Sequence, residues 1–103
     1  MTMTSKERAV LRAEAHHLTA KVHVGQHGLT NTVLQTIDDV LRTHELVKIQ
    51  LGKQYDVKAK DAANALAGQM GADVVQVIGK TVSLYRVNPD LKKKKGDPPP
   101  WRD

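Results

Sequence analysis

The chain of 103 residues is long enough for one hydrophobic core but not for two. It has no cysteine, which excludes disulfides, thiolate catalysis and cysteine-based zinc sites, and its formal charge of +5 suits an anionic partner such as nucleic acid or a membrane surface. With no Phe and 3% aromatic residues, the core must be filled by Val, Leu, Ile and Ala, which suits a small layered α/β domain.

Residues 5–18 read as a helix capped by Ser5, with Ala9, Leu11, Ala15 and Leu18 on a partly apolar face. "KVHVG" alternates, placing Val22 and Val24 on one side of a half-buried strand and Lys21 and His23 on the other. A second helix is expected from Thr30, a plausible N-cap, to about Thr43; Val33, Ile37, Val40, Leu41 and His44 form its stripe. "ELVKIQL" alternates again, turning Val47, Ile49 and Leu51 inward against Lys48 and Gln50. Asp56 is expected to open a third helix, striped by Ala59, Ala62, Ala63, Leu66 and Met70 and stopped by Gly71. The strands "DVVQVI" and "TVSLYRV" follow, joined by Gly79 and Lys80 in the order a type II′ hairpin turn favours.

The domain is expected to span residues 1–87. Residues 88–103, "NPDLKKKKGDPPPWRD" after Val87, read as a basic, Pro-rich tail, mobile or extended. Its lysine run at 92–95 is either a solvated tail or a source of phosphate contacts, and Trp101 either stacks on a partner or dangles. Neither a secretory signal nor a membrane-length apolar stretch is visible, so a cytoplasmic location without membrane contact is expected.

The order α-β-α-β-α-β-β implies right-handed crossovers, with the second and third helices on one sheet face and the last strand antiparallel to its predecessor. The simplest result is a two-layer α/β sandwich with a mixed four-stranded sheet. Its first three strands then share a carboxyl edge, the edge where ligands commonly bind in open α/β sheets. That edge would carry Gly25, Gln26, His27 and Gly28, then Gly52, Lys53, Gln54 and Tyr55, then Gly79, Lys80 and Thr81.

Glycine frees the backbone for positive φ and lets a ligand reach the amides, and the first turn feeds a helix N-terminus that favours phosphate. A Gly-x-x-Gly turn clamps the sugar-phosphate backbone in KH modules. Two glycines three apart are also common as a bare strand-to-helix joint, so both readings stand on the motif alone. "GKT" at 79–81 is not a phosphate loop, because Val74 stands where the motif needs glycine and a strand follows. The five histidines lack metal-ligand spacing, and no nucleophile–base pair can be assembled. A binding protein with neither metal nor cofactor is therefore expected, not an enzyme. Only His27 is placed to meet a partner, as a better phosphate ligand once protonated.

Three stretches, "AHHLTAKVHVGQHGLTNTVL", "HELVKIQL" and "GADVVQVIGKTVSLYR", together resemble the bacterial YhbY proteins, single-domain members of the CRM group (chloroplast RNA splicing and ribosome maturation). The resemblance covers most of residues 5–87. It implies a fold similar to the C-terminal domain of translation initiation factor 3, with sheet order 1-2-4-3. It also implies RNA binding through Gly25, Gln26, His27 and Gly28, followed by Thr30, with Lys48, Lys80 and Arg86 where the family carries basic residues. Lys53 and Lys80 add counter-charge on the same edge. Bacterial members are associated with precursors of the large ribosomal subunit, so a monomeric ribosome assembly factor acting on that RNA, and not on DNA, is implied. The alternative is an adaptor that docks on ribosomal proteins. Two departures stand out. Leu18-Thr19-Ala20 replaces the Leu-Lys-Pro often found before the first strand, and the glycine loop holds no Lys or Arg, unlike many plant relatives.

Overall fold

The computed structural model describes residues 3–91 and 97–102; the lysine run at 92–95 lies outside the described residues. Helix α1 spans Ser5–Ala15, β1 Val22–Val24, α2 Asn31–His44, β2 Leu46–Leu51, α3 Ala59–Met70, β3 Asp73–Ile78 and β4 Thr81–Tyr85. The sheet order is β1-β2-β4-β3, as the resemblance implies. β1 pairs parallel with β2, and β4 runs antiparallel to both β2 and β3.

Sequence chemistry explains most boundaries and corrects three. Thr4, not Ser5, caps α1: its hydroxyl accepts from Glu7 N at 3.1 Å while the Glu7 carboxylate accepts from Thr4 N at 3.3 Å. This reciprocal pair satisfies two helix-end amides at once. The helix then stops at Ala15, three residues short of expectation, because His17 N turns back to Glu14 O at 3.1 Å and Leu18 N to Ala15 O at 3.1 Å. Asp56 does not open α3; Lys58 is the N-cap, without a side-chain bond, and the residues before it continue the turn after β2. Gly71 ends α3 in the left-handed region at φ 62°, where glycine carries no Cβ penalty. Gly79 has φ 54° and Lys80 is not at positive φ, as a type II′ turn requires.

The period-2 alternation decides the layers. Val22, Val24, Val47, Ile49, Leu51, Val82 and Leu84 face α2 and α3, which contribute Ile37, Leu41, Ala62, Ala63 and Leu66. Each large aliphatic side chain buried here contributes roughly 1.5–3 kcal/mol. Paired alanines on α3 let that helix lie close to the sheet, so a core without Phe still closes. The other face is covered at one end only, where Leu11 of α1 packs with Leu46 and Val75. A bulge between Val74 and Gln76 turns both Val75 and Gln76 toward this side, since Gln76 pairs with Ser83.

Trp101 packs into this second cluster instead of dangling. Its ring meets Tyr85 edge-on with centroids 6.1 Å apart, and Arg102 pairs with Glu14. Burial, and then the charges of Glu45 and Glu7, push the Tyr85 phenol above its ordinary pKa.

Candidate nucleic-acid interface

Three turns meet on one edge of the sheet, and main-chain bonds tie them together. Gly52 N donates to Val24 O at 2.8 Å, joining the turn after β2 to the end of β1. Leu51 N donates to Lys80 O at 2.8 Å, joining the hairpin to the end of β2. Lys80 Nζ reaches Tyr55 O at 3.4 Å. The expected clustering of Gly25–Gly28, Gly52–Tyr55 and Gly79–Thr81 is therefore present.

The two glycines of the first turn have different roles. Gly28 is buried at φ 70°, and a Cβ there would stand 3.0 Å from Tyr55 Cε1. Gly25 is exposed, and a Cβ there would meet nothing within 4 Å. Gly52 is a third kind: its Cβ would lie 2.8 Å from Val24 O, so only glycine allows the two backbones to approach.

Gly28 N donates to Gly25 O at 3.0 Å, which closes the turn and turns Gln26 and His27 outward, both exposed. Thr30 caps α2 through a 3.2 Å bond from Val33 N. The amides of Gln26, His27, Leu29, Asn31 and Thr32 donate to no group among the described residues. Unsatisfied amides at a helix start attract anions. Exposed Lys53 and Lys80 stand on the adjoining turns.

The other two expected cations lie elsewhere. Lys48 sits mid-strand on the face that α1 partly covers, where Nζ donates to Ala15 O at 3.3 Å and Leu18 O at 3.2 Å. Arg86 follows β4 at the opposite edge of the sheet. It donates to Asp38 Oδ1 and to Met70 O, each at 2.9 Å, and to Asp38 O at 3.2 Å. The Arg86 hydrogen bond holds the Asp38 carboxyl below its ordinary pKa, and Asp38 anchors this network. Arg86 thus locks α2 and α3 to the end of β4.

Two residues carry no local sequence signal: Tyr55 beneath this edge, whose ring backs Gly28, and buried Glu45 at the opposite edge, the single joint between α2 and β2. Glu45 holds φ 65°, and its carboxylate accepts from Asn88 N at 2.6 Å.

Residues 3–86 match the profile of the CRS1 / YhbY (CRM) domain. The chain is 32% identical over 91 residues to the probable RNA-binding protein YqeI of Bacillus subtilis, covering 88% of this chain and 95% of that one. It is 34% identical over 91 residues to an RNA-binding protein of Haemophilus influenzae, covering 88% and 92%. A solution structure of the hypothetical protein SAV1595 from Staphylococcus aureus superposes with a TM-score of 0.74 at 28% identity, over 88% of this chain and 95% of the other. The fold is a small α/β module with a mixed four-stranded sheet of order 1-2-4-3. This chain belongs to the CRS1 / YhbY (CRM) domain family.

Proposed function

We propose that this protein binds structured RNA through the three-turn edge. One observation carries the reading: unpartnered amides of the Gly25–Gly28 loop and the α2 start stand beside His27, Lys53 and Lys80 on a single edge. RNA-binding relatives across nearly the whole chain support the choice of ligand. The loop amides hold backbone phosphates, Lys53 and Lys80 supply counter-charge, and Gln26 adds polar contacts. Lys48 serves the neighbouring sheet face. Arg86 serves by holding the fold.

The large-subunit ribosomal RNA precursor is the target that the family resemblance implies. On this reading the protein is a cytoplasmic, monomeric assembly factor that binds without catalysis. With few aromatics on the sheet, it reads RNA by backbone and shape more than by stacked bases in series.

Gly25→Asp tests the reading, because it places a carboxylate in the loop where the fold has room. Binding to a large-subunit ribosomal RNA fragment is expected to weaken at least tenfold with melting unchanged. Wild-type affinity in this variant would overturn the loop as the phosphate contact.

A further inference from the structure

The half of the sheet that α1 leaves uncovered is polar by register. One cross-strand row runs His23, Gln50, Thr81 and Ile78; the next runs Lys48, Ser83 and Gln76. Between this second row and the last turn of α1, at Ala15 and His16, lies a cavity of about 330 Å³. That volume is at the small end for ligand sites, room for one flat ring system.

The chemistry of its walls is specific. Ser83 is only 3% exposed and lines the cavity, yet its hydroxyl has no hydrogen-bond partner among the described residues. Ser83 Oγ is open to the cavity and offers a ligand one donor and two acceptor lone pairs. Lys48 is pinned by the Ala15 and Leu18 carbonyls, which leaves one of its three N–H donors for the cavity. Thr81 Oγ1 donates to Gln50 Oε1 at 2.9 Å and keeps its lone pairs as acceptors. The Gln76 amide, with no side-chain bond among the described residues, offers a donor and an acceptor. Ile78, 53% exposed, adds an apolar surface at the mouth.

We propose that this cavity takes one unstacked nucleobase, guanine in preference to adenine, from RNA held on the three-turn edge. A phosphate would use the donors and leave the acceptors of Gln76 and Thr81 facing like charge. A base edge uses both, and an ammonium N–H meets the adjacent acceptors O6 and N7 of guanine. The two sites share a strand: Lys80 precedes Ser83 by three residues, about 10 Å along β4. The inference rests on the RNA reading above and adds a second, base-selective contact to it.

The test uses the full chain and a short single-stranded RNA carrying one guanine, compared with the same RNA carrying adenine or an abasic site there. Wild type is expected to bind the guanine RNA about tenfold more tightly than either. Ser83→Val, which replaces the cavity-facing hydroxyl with methyl groups, and Gln76→Leu, at a partly exposed edge-strand position, are expected to bind all three alike, at the abasic affinity. Equal affinities in a wild type that binds RNA would overturn the base pocket alone. Binding of none of the three, by a protein that still binds structured ribosomal RNA, would also overturn it. Failure to bind any RNA would overturn the RNA reading and the pocket with it.

Discussion

The Tyr55 ring lies against Gly28 so closely that a single added methyl would sit 3.0 Å from Cε1, while Gly28 itself holds φ 70°. Shape and backbone conformation thus both require glycine at residue 28, and neither does at residue 25. Gly28→Ala is expected to cost about 1–3 kcal/mol in denaturant unfolding, and Gly25→Ala within about 0.5 kcal/mol of nothing. In a Tyr55→Ala background the Gly28→Ala loss shrinks but does not vanish, because the positive φ remains. Equal losses at both glycines would contradict this assignment.

On the proposed reading, Lys53 and Lys80 neutralise phosphates. Replacing both with Ala should lower the slope of log affinity against log salt by about 1.4–1.8, two contacts' worth. Lys6→Ala, on the outer surface of α1, leaves the slope unchanged. An unaltered slope in the double variant would move the phosphate contacts away from this edge.

The Arg86 hydrogen bond depresses the Asp38 pKa, so Asp38 contributes stability that is complete above its unfolded value of 3.8 and is lost as pH falls through the folded value. Melting temperature should fall from about pH 5 to pH 3. Asp38→Asn flattens part of that fall and lowers the melting temperature at neutral pH. Arg86→Ala, which abandons two carbonyls as well, costs about 1–3 kcal/mol. An acid limb identical in Asp38→Asn and wild type would rule out this linkage.

Tyr85 has the opposite sign. Its phenol is raised by burial, so its stabilising contribution is complete below its ordinary value of 10.0 and is lost as pH rises through the folded value. Trp101 covers that ring. Trp101→Ala should cost about 1–2 kcal/mol and bring the Tyr85 titration back toward 10.0, read by phenolate absorbance in a Tyr55→Phe background. As the only Trp, Trp101 should also shift its emission to the red on unfolding. Emission that is already fully red in the native state would show the ring in water.

Strand faces, helix stripes and the glycine turns were legible because each is a local pattern of period 2, period 3.6 or positive φ. Glu45 kept its joint hidden because an acidic residue at positive φ has no sequence signature. The Asp38–Arg86 pair spans 48 residues and the Gly28–Tyr55 contact 27, so neither leaves a mark in any short window. Asp56 misled because Asp commonly begins a helix, whereas here the residues around it belong to the turn that brings Tyr55 under Gly28. Lys48 and Arg86 looked equivalent as cations; register and topology put one on a sheet face and the other at the far edge.

The shorter bonds that gather the three turns, Gly52 N to Val24 O and Leu51 N to Lys80 O, use only main-chain atoms, and the longer one from Lys80 Nζ to Tyr55 O adds a side chain to them. What hangs from residues 26, 27, 53 and 54 therefore has no part in setting the contour of the edge. Grip and charge become separate controls, one written in glycines and amides, the other in whichever side chains the exposed positions carry. With Gln26 and His27 in the loop, this chain is set toward the neutral end of that range, and its hold should fade less in brine than that of a relative with lysines there.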